Sequence, residues 1–318
     1  MNQLLPFRPA RDLVAVPEER RWLIDGLWAA EAVGIVGGEP KCCKSFLALD
    51  MAVAVASGAP CLGRFPPAER GRVLLFAAED ALHIVRRRLE GIALAAGSAL
   101  DDLDIQVITA PTLRLDLLDD RDRLAHTVEH LRPRLLILDP FVRLHRIDEN
   151  LSGEVAPLLA YLRELQRRHA VAVVLVHHAR KGAARARAGQ ALRGSSEFHA
   201  WGDSNLYLRR HGDDLVLTVE HRAALSTSGL HVALKAEGDA LALRVLDAPS
   251  VVAATATVAP TAIEKIERAL ADATMPLTIA ALRAACRIRN KNVALALATL
   301  SAEGRVRKTA AGYLLASR

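Results

Sequence analysis

From position 32 the chain alternates two hydrophobic patterns. Short apolar runs stand at 33–36, 73–77, 105–108, 135–138 and 171–176, and segments of helical period lie between them, near 44–57, 80–96, 118–131 and 150–169. Repeated β-α units of this size predict a parallel sheet with helices on both faces. After Trp201 the pattern changes. The stretches 206–208, 215–219, 230–234 and 241–245 are strand-like and separated by short polar turns, which predicts antiparallel strands extending the same sheet.

Flanking segments complete the plan. Residues 1–30 are a lead-in that ends in the amphipathic stretch 22–28, and 31–246 hold the β-α core. Residues 247–260 are small and flanked by proline, which marks a linker. Residues 261–318 predict three helices and a hairpin. Ile263, Ile266 and Leu270 mark the first helix, Thr278 caps the second, and the third runs from 293 to 302 and ends at Gly304. That order is the winged helix-turn-helix. The fold class is therefore α/β, a core with a mostly parallel sheet, plus a small C-terminal winged helix-turn-helix.

Composition narrows the classes. The chain has 318 residues, 51% of them apolar, enough for one ordinary core domain and a small second one. The longest apolar run, 46–56, is interrupted by Asp50 and is too short to span a bilayer, so it reads as a buried helix. No apolar signal core follows Arg8, Arg11 and Asp12, and the expectation is a cytoplasmic protein with no membrane partner. The four cysteines lack zinc spacing and are expected to be reduced. The net charge of +6 sits at one end: residues 261–318 hold ten Lys or Arg against four Asp or Glu, leaving 32 of each sign elsewhere. A basic tail on a neutral body suits a polyanion, and equally a solvated surface.

The strongest chemical signal is Gly38-Glu39-Pro40-Lys41-Cys42-Cys43-Lys44-Ser45, placed after a strand and opening a helix, with Phe46 next. In a P-loop, backbone N–H groups cradle phosphates at a helix N-terminus, the lysine reaches the β- and γ-phosphates, and the hydroxyl binds Mg²⁺. ATP and Mg²⁺ are the implied ligands, held by residues 38–46. Cys43 stands where the pattern has its last glycine. A positive φ there costs a cysteine on the order of 1 kcal/mol. A thiol at a helix N-terminus beside Lys44 is expected to carry a lowered pKa, unless Cys43 is simply a small residue tolerated there.

Three further strand ends agree. The run 135–138 ends in Asp139-Pro140, a buried strand whose carboxylate holds Mg²⁺. The strand 73–77 leads to Glu79-Asp80. Glu79 is either the general base or a carboxylate favoured by a helix N-terminus, and Asp80 is the expected helix cap. The strand 171–176 ends in His177-His178, and His177 is the candidate γ-phosphate sensor. The segment 181–194 that follows is basic, glycine-containing and free of acids. Lys181, Arg185, Arg187 and Arg193 are its candidate phosphate-backbone contacts, against the alternative of a plain surface loop.

With these residues in view, the chain resembles the RepA-like branch of RecA-fold ATPases, which includes the hexameric replicative helicase of broad-host-range plasmids. The resemblance spans roughly 20–246. It rests on Trp22, Gly26-Leu27, 38–45, Ala78-Glu79-Asp80, Leu138-Asp139-Pro140, 177–181, Arg193-Gly194-Ser195-Ser196 and Asp203. It implies Glu79 as the base and a homo-oligomeric ring, a hexamer in that helicase, with ATP at each interface. It also implies an arginine from the neighbour, with Arg222 first and Arg209 and Arg210 behind it. The relatives' lysine two residues before the finger is Glu220 here. The expected partner is DNA: single-stranded through the core, duplex at the tail near Arg287, Arg289 and Lys291. An ATP-gated DNA-binding regulator is the alternative.

Overall fold

The computed structural model describes residues 7–13, 17, 20–178, 197–211, 214–237, 240–246, 262–273, 275–286, 293, 296, 297, 299–301, 304–309 and 311–316. The chain divides into two compact units, Met1–Pro249 and Ser250–Arg318.

The first unit opens with a small antiparallel pair, β1 (Trp22–Ile24) and β2 (Trp28–Ala29). The main elements follow as β3 (Val33–Gly38), α1 (Lys44–Ser57), β4 (Val73–Ala77), α2 (Leu82–Ala95), β5 (Ile105–Val107), α3 (Leu118–Leu131), β6 (Leu135–Asp139), α4 (Ser152–His169) and β7 (Ala172–His178). A short α5 (Glu197–Trp201) leads into β8 (Ser204–His211), β9 (Asp214–His221), β10 (Thr227–Glu237) and β11 (Ala240–Val245). These strands make one nine-stranded sheet in the order β11-β10-β9-β8-β3-β7-β6-β4-β5. From β5 to β8 the neighbours are parallel, and β8 through β11 are antiparallel. Strand β8, expected in the antiparallel set, thus also closes the parallel one by pairing with β3.

Alternation along each central strand feeds two cores. Val73 and Leu75 point to the face of α1 and α2, whereas Leu74 and Phe76 point to that of α3 and α4. Helix α1 is buried on nearly every side, as a helix apolar all round should be. Its Asp50 is buried too, and accepts from the Leu62 amide at 3.0 Å. Gly34 is required by close approach: a Cβ there would lie 1.6 Å from the Ser204 carbonyl oxygen, where β3 meets β8. The stretch 22–28, read from sequence as the end of a lead-in, packs Leu23, Ile24, Leu27 and Trp28 into the same core. Among the described residues no helix is long and apolar enough to cross a membrane.

The second unit holds α6 (Ala262–Ala271), α7 (Ile279–Cys286), helical positions at 293, 296, 297 and 299–301, and a hairpin of β12 (Val306–Thr309) and β13 (Gly312–Leu315). Ile266, Leu282, Val293, Leu297, Leu300 and Val306 form its core. The Ala281 amide donates to Thr278 Oγ1 at 3.2 Å, the expected cap. Leu277 exchanges two backbone bonds of 2.9 Å with Tyr313, adding a bridge beside the hairpin. The linker 247–260 and Arg287, Arg289 and Lys291 lie outside the described residues.

Candidate nucleotide site

Parallel pairing brings strand C-termini to one edge, and register fixes which residues meet there. Gly38 of β3 is level with His178 of β7, and Ala77 of β4 with Asp139 of β6. The Ala78 amide donates to the Asp139 carbonyl at 2.8 Å, which holds Glu79 beside Asp139. Between β3 and α1 the loop turns through two non-glycine residues in the left-handed region, Lys41 and Cys43, both at φ 63°. Gly38 leaves no room for a side chain, since a Cβ would meet the Leu208 carbonyl oxygen at 2.3 Å. No side chain caps α1, so the amides of its first turn are left for a ligand.

The loop borders a cleft of about 330 Å³ lined in part by Lys44, Ser45, Glu79 and Asp139. Lys44 is buried, and its Nζ donates to the Glu39 carbonyl at 2.8 Å. Burial pulls its pKa down, and Cys42, Asp139 and Glu79 hold it up in part. The Asp139 carboxyl is pushed up to about 6, chiefly by burial, while a hydrogen bond from Ser45 and the charge of Lys44 oppose the rise. A hydroxyl hydrogen-bonded to a buried carboxylate at a phosphate loop is a donor set that fits Mg²⁺. Below about pH 6 a proton on Asp139 would compete with a cation for this carboxylate.

A family model described as an AAA domain matches residues 3–184. The chain belongs to the AAA domain family. Among solved structures it is similar to the ATPase domain of G40P, with a TM-score of 0.53 and 12% identity, over 69% of this chain and 87% of that one. That likeness supports the fold, a RecA-like P-loop core, and the family match with the P-loop chemistry makes the AAA domain an ATP hydrolase.

Not every candidate enters the cleft of this AAA domain. His178 lines it, while His177 is 1% exposed and faces the opposite core, stacked on Phe198 at 4.3 Å and edge-on to Phe141 at 6.0 Å. Successive side chains of a strand point to opposite faces, so of the two adjacent histidines His178 and not His177 borders the cleft. Asp80 does not cap α2, whose N-cap is Ala81. It pairs instead with Arg88, whose guanidinium lies 5.3 Å from the centre of the Phe46 ring. Arg222, just past β9, is held within its own chain: 3.5 Å from Asp203, and bonded to the carbonyls of Ala200 and Trp201. Lys181, Arg185, Arg187 and Arg193 lie outside the described residues.

Three arginines reach the site: Arg88 and Arg143 belong to no motif, and Arg210 is one of the finger candidates. Arg88 lines the cleft, Arg143 donates to Glu79 Oε1 at 3.1 Å, and Arg210 donates to the Lys41 carbonyl at 3.3 Å. Only the β3–β8 pairing, Gly38 opposite Leu208, explains why Arg210 reaches its own P-loop.

The expected thiolate at Cys43 is overturned. Burial pushes the Cys43 thiol up, and Arg210, Lys44 and Arg88 together do not reverse it. The backbone expectation survives, because Cys43 does adopt the left-handed conformation. Cys43→Gly is therefore expected to stabilise the AAA domain by about 1 kcal/mol and to bind ATP at least as tightly. Melting curves with and without Mg-ATP check this. Weaker nucleotide binding would mean the loop is built around the thiol.

Proposed function

We propose that this ATP hydrolase is a DNA-dependent, ring-forming motor ATPase of the replicative-helicase kind, closest to the RepA-like pattern of plasmids and phages. The observation that carries the hydrolytic part is the meeting of Lys44, Ser45, Glu79 and Asp139 at one sheet edge. In this reading the first-turn amides of α1 and Lys44 hold the β- and γ-phosphates, and the lysine opposes charge growing on the transferred phosphoryl group. Glu79 accepts the proton of the attacking water. Mg²⁺, held by Ser45 and Asp139, would neutralise phosphate charge. His178 takes the γ-phosphate-facing role first assigned to His177.

The DNA part rests on charge and order. Lys181, Arg185, Arg187 and Arg193 follow β7 directly, where a nucleotide-dependent shift at His178 would be felt. Residues 261–318 carry the whole net positive charge, and we assign them a winged-helix role on duplex DNA through Arg287, Arg289 and Lys291. Arg222 is the proposed finger into a neighbour's site.

The test is ATP turnover by sized protein, with and without a dT oligonucleotide, for the wild type and Glu79→Gln. Glu79→Gln is expected to bind ATP and lose hydrolysis, because an amide keeps the shape and cannot take the proton. Normal hydrolysis by this variant would mean that another group is the base. Wild-type turnover indifferent to the oligonucleotide favours the ATP-gated regulator.

A further inference from the structure

The sheet is hollowed at its other edge as well. Strand β8 runs parallel to β3, and the Asp203 amide just before it donates to the Val33 carbonyl at 2.8 Å, so both strands start at one level. Strand β9 returns antiparallel and ends at His221, level with Ser204. A hollow of about 380 Å³ opens at this edge, one strand length from the phosphate loop. Asn205, Glu220, His199, Arg222 and Ser226 are among its walls. Its volume lies in the range of small-molecule sites, about 300–1,000 Å³.

Two of these walls hold unused hydrogen-bonding capacity. Asn205 is 4% exposed, and its Oδ1 accepts from the Ile35 amide at 3.1 Å. An N–H can be met only by the oxygen of a carboxamide, so that bond fixes which way the group is turned. The Nδ2 that is left has no partner among the described residues. Glu220 stands directly across β8–β9 from Asn205, so both side chains rise from one face of the sheet. Its carboxylate accepts no hydrogen bond from a described residue, and its Oε2 lies 3.6 Å from His199 Nδ1. The Tyr207 hydroxyl, 2.9 Å from that nitrogen, holds the His199 ring, which is about half exposed.

One amide donor beside two carboxylate acceptors calls for a ligand edge with one acceptor beside two donors. Among the nucleobases guanine alone has that order on its pairing edge: O6, then N1–H and N2–H. We propose that this hollow binds a guanine base. Asn205 Nδ2 donates to O6, the Glu220 carboxylate accepts from N1–H and N2–H, and the His199 ring stacks on the base. The proposal goes beyond the hydrolytic reading, because no bond is made or broken here and the phosphate loop takes no part. The base arrives either on a free nucleoside or nucleotide, or splayed out of single-stranded DNA, with the same chemistry in both cases.

Calorimetric titration of the full chain with guanosine, inosine and adenosine tests this. Nucleosides are the probes because they bring no phosphate to the P-loop. Guanosine is expected to bind tighter than inosine, which lacks the N2 donor, by on the order of tenfold, the weight of a good base contact. Glu220→Gln should weaken guanosine by on the order of tenfold or more and leave adenosine unchanged, since an amide offers one acceptor where the carboxylate offers two. His199→Ala should weaken guanosine and inosine alike, because stacking ignores the pairing edge. It also carries the test if Glu220→Gln fails to fold. The source is read from a dT oligonucleotide with one central dG beside plain dT. A preference that Glu220→Gln abolishes assigns the hollow to a DNA base, and equal affinities assign it to a free nucleoside or nucleotide. No guanosine binding, guanosine held no better than adenosine, or full guanosine affinity in Glu220→Gln overturns the proposal, whatever the rate of ATP turnover.

Discussion

Lys44→Ala is expected to lower ATP turnover by at least about 10²–10³, the loss found when one preorganised charge-stabilising donor is removed. Nucleotide affinity should fall as well, because in the proposed site the ammonium would face the phosphates before and after transfer. Its position makes the loss specific. Lys44 is buried at the cleft and tied to the Glu39 carbonyl at 2.8 Å, and burial pulls its pKa down against the opposing influence of Cys42, Asp139 and Glu79. Removing the ammonium also removes that desolvation cost, so the melting temperature should change by no more than about 2–4 °C, the equivalent of about 1 kcal/mol in a domain of 150–250 residues. Turnover and a melting curve on the same sample decide the matter. Unchanged turnover would sink the nucleotide-site assignment, and a collapsed melting curve would make the variant uninformative about chemistry, so Lys44→Met, which keeps the stem volume, is measured beside it.

Arg222→Ala is expected to leave ATP binding by single chains intact and to cut turnover on the order of 10³, the magnitude of an arginine finger. The residue stands 3.5 Å from Asp203 and bonds the carbonyls of Ala200 and Trp201 at the end of α5, so it also has work within its own chain. Mixing separates the two roles. A finger acts across an interface, so Arg222→Ala subunits supply an intact P-loop, and Lys44→Ala subunits supply an intact arginine. A mixture of the two dead variants should recover activity. A purely structural Arg222 would give a less stable protein and no recovery. Absence of recovery, together with a strictly monomeric protein, would remove the ring from the functional reading.

Much of this chain is legible in one dimension. The helices expected at 44–57 and 118–131 coincide with α1 and α3, and the strand expected at 73–77 with β4, because the length and bounds of an apolar run, and its period where it has one, are properties of the local chain. The P-loop and the strand-ending Asp139 are legible for a related reason: a phosphate cradle needs particular residues in consecutive positions. Cys43 belongs to this class, since the motif alone calls for a left-handed residue there and the backbone supplies one at φ 63°. Tertiary structure decided the rest. Which of His177 and His178 meets the cleft depends on which face of β7 packs against the core, and the pair as letters does not say. The Cys43 thiol follows its burial and not the helix terminus, because desolvation in a packed loop outweighs the nearby positive charges. Arg143 and Arg210 reach the site from 64 positions beyond Glu79 and 169 beyond Lys41. Only sheet order and register bring such distant residues together, and those are set by the pairing of whole strands, which no local stretch of sequence encodes.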